Sequence, residues 1–146
     1  MKEVAMKLFM LASLGCGALV SFGSATLAAA DPDLQKLQGK WIVESFAYNG
    51  NPVELLKDAT REFKEEKYTL TPKAGDVING AVKLLDSTKL PKQVDLEVNG
   101  QTLKGIYDID GEMLKMCYNL NNPERPTEFV SKPDSGIVLV VHKRLK

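Results

Sequence analysis

The stretch LKGIYDIDGEMLKMCY, from Leu103 to Tyr118, decides the fold of this chain. Apolar and polar residues alternate in two runs, one on each side of the dipeptide Asp110-Gly111. This dipeptide readily takes the positive φ angles of a tight hairpin turn. Alternation with a period of two, interrupted by such a turn, is typical of paired antiparallel strands. The stretch therefore predicts an antiparallel β protein.

The same pattern continues on both sides of this hairpin. Residues 31–38 predict a short helical lead-in, and residues 52–59 predict one or two helical turns. Strands are predicted at 41–48, 60–63, 67–71, 77–86, 94–98, 103–110 and 112–118, with a last strand supplied by 127–131 and 136–144. About eight antiparallel strands in one small domain most simply close into a barrel, which leaves no exposed edge. The predicted fold class is thus all-β, an eight-stranded up-and-down barrel.

Alternation also predicts which side chains share a face. One face of the first strand holds Trp41, Val43, Ser45 and Ala47. One side of the 77–86 strand holds Ile78, Gly80, Val82 and Leu84, where the glycine permits a bend or close packing. The predicted buried members of the hairpin between them are Phe63, Tyr68 and Leu70.

Residues 1–30 have the order of a secretory signal peptide: a basic start, an apolar stretch, and Ala28-Ala29-Ala30 before a polar residue. The alternative is a permanent membrane helix, but the apolar core is short and contains glycine. We therefore predict cleavage after Ala30, with residues 31–146 forming one secreted or periplasmic domain. Cys16 leaves a lipid anchor open, although Ser13 stands where a lipoprotein signal has an apolar residue. Only an acylated Cys16 would hold the mature chain at the membrane.

Charge and cysteine content limit the partners and the sources of stability. The leader holds two lysines and one glutamate, so 17 basic and 18 acidic residues remain after it. A nearly neutral chain of this kind does not predict a nucleic acid partner. Cys117 is the only cysteine after the leader, so no internal disulfide is expected. Barrel closure and packing must then stabilise the domain.

Residue types that carry chemistry are sparse. His142 is the only histidine, which excludes a multi-histidine metal site, and we expect it to be a surface or packed strand residue. Cys117 lies in the middle of a strand, where a small buried thiol is ordinary. Asp110 is explained as a turn residue and Asp108 as an outward strand position. No glycine-rich phosphate loop or C-x-x-C spacing occurs. We predict no catalytic residue, no metal and no cofactor, and hence a protein that is not an enzyme.

Several motifs carry a family resemblance. Gly39-Lys40-Trp41 resembles the G-x-W signature of lipocalins, and Arg144 looks like the arginine that packs across the tryptophan in that superfamily. Taken in order, five segments are similar to the planctomycete-type lipocalin-like domain, a family of uncharacterised exported proteins: LQGKW (37–41), PKQVDL (91–96), GIYDIDGEMLKMCY (105–118, with Asp110 and Gly111), RPTEF (125–129) and residues 139–144. The resemblance implies a lipocalin-like barrel, export and no assigned activity.

Fold analogy then suggests a ligand site. Tyr107, Met116, Tyr118 and Phe129 are expected to line a barrel cavity for a small, mainly apolar molecule. Arg125 is expected at the mouth, where its planar fork would hold a carboxylate or phosphate. In the alternative, Arg125 pins a loop by pairing with an acidic neighbour or a loop carbonyl. If the interior is filled, the chain is instead an envelope protein–protein interaction or structural module that acts through its loops.

Overall fold

The structure, a computed structural model, describes residues 31–146. The predicted signal peptide and Cys16 lie outside these residues. A short helix, α1 (Asp33–Leu37), comes first, and a 3-10 turn (Glu54–Leu56) follows the second strand. The strands are β1 (Gly39–Tyr48), β2 (Asn51–Pro52), β3 (Thr60–Lys64), β4 (Lys67–Thr71), β5 (Ile78–Asp86), β6 (Lys92–Val98), β7 (Gln101–Asp110), β8 (Met113–Asn119) and β9 (Ile137–Arg144). Within the described residues, no helix is long and apolar enough to cross a membrane.

The strands close into a barrel in the order in which they occur. Each of β3 to β8 pairs antiparallel with the next, β1 pairs with β3, and β9 returns to pair with β1. The closing ladder runs from Trp41 opposite Arg144 to Tyr48 opposite Val138. The two-residue strand β2 is added beside the end of β1. The predicted all-β, eight-stranded up-and-down barrel is confirmed, with one extra short strand.

Tight turns join the strands of the central meander. The β6–β7 turn is Asn99-Gly100, with φ angles of 51° and 78°, as expected for a two-residue turn that matches the strand twist. In the β7–β8 hairpin, Asp110 pairs with Met113, so the turn residues are Gly111 and Glu112. This turn is one residue later than predicted, because Gly111 (φ 58°) takes the first turn position and Asp110 ends β7.

A β-bulge in β1 reverses part of the predicted face assignment. The register with β9 shifts at Glu44, which is the extra residue. An extra residue moves all later side chains to the opposite face. Phe46 and Tyr48 are therefore buried on the same face as Trp41 and Val43, the face to which strict alternation assigned Ser45 and Ala47.

A second bulge has the same effect in β5. The register with β6 shifts between Val82 and Leu84. Consequently Leu85, and not Leu84, is buried after Val82. The predicted close packing at Gly80 is confirmed, because a methyl group there would collide with the ring of Tyr68.

One end of the barrel is closed around Trp41. Its Nε1 donates a hydrogen bond to the Leu37 carbonyl of α1 (2.9 Å). The guanidinium carbon of Arg144 lies 4.1 Å from the indole centroid, so the contact expected from the lipocalin resemblance is present. Arg144 also donates to the carbonyls of Lys36 (2.6 Å) and Gln38 (2.8 Å). Gly39, with φ of 104°, lies against this guanidinium, where a side chain would be strained.

The segment from 120 to 136 contains no strand, so the predicted strand at 127–131 is wrong. The reason is that β8 already pairs with β7 and β9, and closure of the barrel leaves no edge for another strand. The segment is held instead by polar contacts. Asn119 Oδ1 accepts from the backbone of Asn121 and Asn122, and Ser131 Oγ accepts from the Gly50 backbone.

Candidate functional site inside the barrel

The most unusual side chain of the barrel interior is Arg61. It lies on β3 two positions before Phe63, and both point inward because side chains alternate along a strand. Arg61 is only 2% exposed. Lysine and arginine are almost never buried to this extent unless they are paired.

The contacts of Arg61 do not neutralise its charge. Nη1 lies 3.3 Å from the Met116 sulfur, and the guanidinium carbon lies 5.2 Å from the centroid of the Tyr68 ring. Nε has no hydrogen-bond partner among residues 31–146. None of the ion pairs found in the described part of the chain includes Arg61. A weak sulfur acceptor and an aromatic face therefore hold a cation that lacks a counter-ion within the described residues.

His142 is the second buried polar side chain of the interior. Its ring is fully buried on β9, and Nδ1 lies 3.1 Å from the Leu114 carbonyl. A carbonyl only accepts hydrogen bonds, so Nδ1 carries the proton and Nε2 is an acceptor; within the described residues Nε2 has no donor. Burial and the positive charge of Arg61 lower the pKa of His142 well below 6.5, against a smaller opposing effect of the Leu114 bond. The imidazole is thus neutral at pH 7, and of the two predicted placements the packed one is found.

A small cavity lies beside Arg61. Its volume is about 20 Å³. The remaining lining residues are Tyr68, Leu70, Ile78, Val98, Leu103, Tyr118 and Leu120. Most of them lie near the ends of β4, β6 and β8 or the starts of β5 and β7, so the cavity lies toward the end of the barrel opposite α1. A space of this size is comparable to one water molecule, and 26 buried hydrophobic side chains form the surrounding core.

Two of the five predicted ligand residues lie at this site. Tyr118 lines the cavity, and Met116 contacts Arg61. Both point inward from β8 because they are two positions apart. They join Arg61, which the sequence analysis did not single out.

Tyr107 is buried at the other end of the barrel. Its hydroxyl donates to Asp33 Oδ2 (2.9 Å), and the same carboxylate pairs with Lys92 (3.0 Å) and Lys36 (3.1 Å). Burial opposes ionisation of Asp33, but the hydrogen bonds from Lys92, Tyr107 and Lys36 outweigh it and leave the pKa below 3.8. Burial, and then the bond to Asp33, raise the pKa of Tyr107. This fully partnered cluster fastens α1 to the barrel.

Arg125 and Phe129 lie on the outside of the barrel wall. Nη1 of Arg125 donates to the carbonyls of Val94 (3.1 Å) and Gly105 (2.7 Å), and Nη2 lies 2.7 Å from Asp95 Oδ1. The guanidinium thus holds the 120–136 segment against β6 and β7. Arg125 therefore pins a loop, as in the alternative given by the sequence, but its partners differ from the acidic neighbours and loop carbonyl expected there. Phe129 is half-buried in the same segment. Neither side chain lines the interior cavity.

Cys117 also faces outward, under the 120–136 segment. The thiol is buried, and Sγ lies 3.4 Å from the Glu128 carbonyl. Burial raises the pKa of the thiol to about 11, the opposite of what a nucleophilic cysteine requires. In residues 31–146 there is no group of three or more His, Cys, Asp or Glu side chains that could hold a metal ion.

Sequence periodicity carried a signal for Arg61 and His142. Arg61 is two positions from Phe63, and His142 is two positions from Val140, so each belongs to the inward series of its strand. The signal is weak. When a polar or charged residue falls in the inward series of a predicted strand, the usual reason is that the predicted register is wrong or that this face of the strand is exposed to solvent. Charge type alone cannot distinguish these cases.

Comparisons with known proteins add no functional assignment. No family model matches the chain, and neither the curated proteins nor the solved structures gave a significant match. The resemblance to the planctomycete-type lipocalin-like domain stays a prediction. Function is therefore argued from the geometry of the barrel.

Proposed function

We propose that this chain is an exported, non-catalytic binding module that takes one small, mainly apolar molecule through the barrel end opposite α1. The observation that carries the proposal is the cavity beside Arg61, with aliphatic and aromatic walls and a cation that has no counter-ion among residues 31–146. Ligand sites are typically apolar pockets with a few polar groups that fix orientation. An eight-stranded barrel is wide enough to hold one small ligand.

Entry of a ligand requires that lining side chains move. Val98 and Leu120, at 6% and 8%, are the most exposed of the residues that line the cavity. Strand ends and the loops that follow them open at lower free energy than the middle of a sheet. The 20 Å³ cavity is then the inner end of a larger site that forms around the ligand.

Native mass spectrometry of the full-length chain tests the proposal, before and after extraction with organic solvent. We expect a co-purifying small molecule, and binding of a hydrophobic dye after extraction. Leu120→Trp should fill the mouth and abolish both signals. Leu90→Trp is the matched control, because Leu90 is 96% exposed and remote from the cavity lining. Failure of dye and small molecule to bind, or equal binding by Leu120→Trp, would contradict the proposal.

A second function is favoured by the small size of this cavity. A barrel whose cavity holds about one water has the rigid core of an interaction or structural module. The 120–136 segment, pinned by Arg125, would then present its exposed residues to a partner. A photo-crosslinker at the exposed Asn122 should capture one specific envelope protein, and one at the exposed Lys89 should not. That result, together with failure to bind any small molecule, would favour this second function.

A further inference from the structure

The charge of Arg61 is not balanced inside the barrel. The other buried polar side chains of the described residues are Asp33, Asn119 and His142. Asp33 is already paired with two lysines near α1, and His142 is neutral. No acidic side chain of residues 31–146 therefore remains to pair with the guanidinium within the interior.

The contacts that Arg61 does make are too weak to offset its burial. Removing a guanidinium from water costs several kcal/mol. A desolvated cation–π contact with Tyr68 returns about 2 kcal/mol, and a sulfur acceptor returns less. A bound anion would supply the missing interaction.

The unused part of the guanidinium has a defined shape. Among the described residues, only Nη1 has a hydrogen-bond acceptor, the Met116 sulfur. The edge formed by Nε and Nη2 presents two parallel N–H groups, which match the two oxygens of a carboxylate. Burial raises the pKa of Tyr68, so its hydroxyl keeps its proton in the wall of the same cavity.

We infer that the ligand is an acidic amphiphile, whose carboxylate pairs with Arg61 and whose apolar chain runs out between the strand ends opposite α1. The walls along that path are aliphatic: Leu70, Ile78, Val98, Leu103 and Leu120. These side chains suit an alkyl chain and offer nothing to a second charged group. The inference rests on the proposed binding function and adds the class of ligand to it.

Calorimetric titration of the full-length chain tests the inference with three probes: decanoate, 1-decanol and acetate. Decanoate and decanol have the same chain length, so the difference between their affinities measures the contribution of the carboxylate. Acetate carries the carboxylate without the alkyl chain, so its affinity measures the carboxylate alone. We expect decanoate to bind at least tenfold more tightly than decanol, and acetate to bind more weakly than either. Arg61→Met should remove the preference for decanoate, and Arg61→Lys should retain part of it. Lys64→Met, on the same strand, should behave as wild type because its side chain is 82% exposed.

The outcomes separate the inference from the function on which it rests. Equal affinity for decanoate and decanol, or an unchanged preference in Arg61→Met, overturns the acidic ligand but leaves a binding module. Acetate binding as tightly as decanoate overturns the amphiphile in favour of a small free anion. Failure of all three probes to bind overturns the ligand class and the proposed function together.

Discussion

Replacement of Arg61 by methionine tests whether the buried charge destabilises the ligand-free barrel. Methionine keeps an unbranched stem of similar length, so it preserves most of the packing of a side chain that is 2% exposed. It removes the charge and the unsatisfied Nε–H. No ion pair of residues 31–146 is broken by the change, because Arg61 belongs to none of them.

The magnitude follows from the opposing contributions at this site. Release of the buried charge should stabilise the fold by several kcal/mol. Loss of the contact with the Tyr68 ring, 5.2 Å from the guanidinium, opposes this by about 2 kcal/mol. We expect Arg61→Met to raise the free energy of unfolding by about 1–3 kcal/mol, within the range seen when buried charges are replaced by apolar residues.

Urea unfolding at pH 7, with the purified protein first freed of bound molecules, measures this free energy. The midpoint should rise while the slope of the transition stays constant, since the surface exposed on unfolding is unchanged. Lys64→Met should change the free energy by less than about 0.5 kcal/mol, as is usual for exposed positions. Saturating decanoate should reduce the difference in unfolding free energy between Arg61→Met and wild type. A ligand at 100 times its dissociation constant adds about 2.7 kcal/mol to the unfolding free energy of the protein that binds it, and wild type binds decanoate more tightly.

A lower midpoint for Arg61→Met would refute this reasoning. It would mean that Arg61 contributes net stability through its sulfur and aromatic contacts. The guanidinium would then be a satisfied part of the core, and the structure would give no reason to expect an anion beside it.

Three further perturbations concern other parts of the barrel. Burial and the charge of Arg61 lower the pKa of His142, so only the unfolded chain becomes protonated there as the pH falls below 6.5. The unfolding free energy of the wild type should therefore fall by up to about 1.4 kcal/mol per pH unit. An equal fall in His142→Gln between pH 7 and 5.5 would contradict this. Arg144→Met removes the contact with the Trp41 indole and two hydrogen bonds. It should lower the unfolding free energy, measured by urea titration, by about 2–3 kcal/mol. Lys143 is exposed, so Lys143→Met should leave that free energy nearly unchanged. The Cys117 thiol is buried and has a pKa of about 11. Its reaction with a disulfide reagent at pH 8 should therefore be on the order of 100-fold faster in the unfolded protein than in the folded one. Similar rates would show that the 120–136 segment does not cover the thiol.

Local sequence signals were sufficient for the eight strands of the barrel and for their order. Alternation and turn dipeptides predicted the sequential strands, and the number of strands predicted closure. The errors arise where the register of strand pairing, and not the local pattern, decides the structure. The bulge at Glu44 lies just after Ile42, where the ladder with β3 on one edge of β1 ends while the ladder with β9 on the other edge continues, and no local pattern marks that point. The 127–131 segment has the composition of a strand but no free edge to join.

The candidate site was less accessible from sequence than the fold. Met116 and Tyr118 were found because aromatic and apolar residues in the best-defined hairpin point to a barrel interior. Arg61 was missed, since a cation in a charged hairpin (TREFKEEK) is normally solvated. Arg125 was chosen for the chemistry of its side chain, but its three partners lie on the outer wall, where only the closed barrel brings them together.

The closing ladder between β1 and β9 joins residues that are far apart in synthesis as well as in sequence: Arg144 and its acceptor Gln38 are 106 positions apart. While the ribosome adds the intervening strands, β1 has no β9 to pair with, and a chain interrupted before residue 137 keeps one unsatisfied backbone edge on β1 and another on β8. Copies that lack β9 therefore present backbone edges that neighbouring copies can join, and only the pairing of β9 with both β1 and β8 covers them.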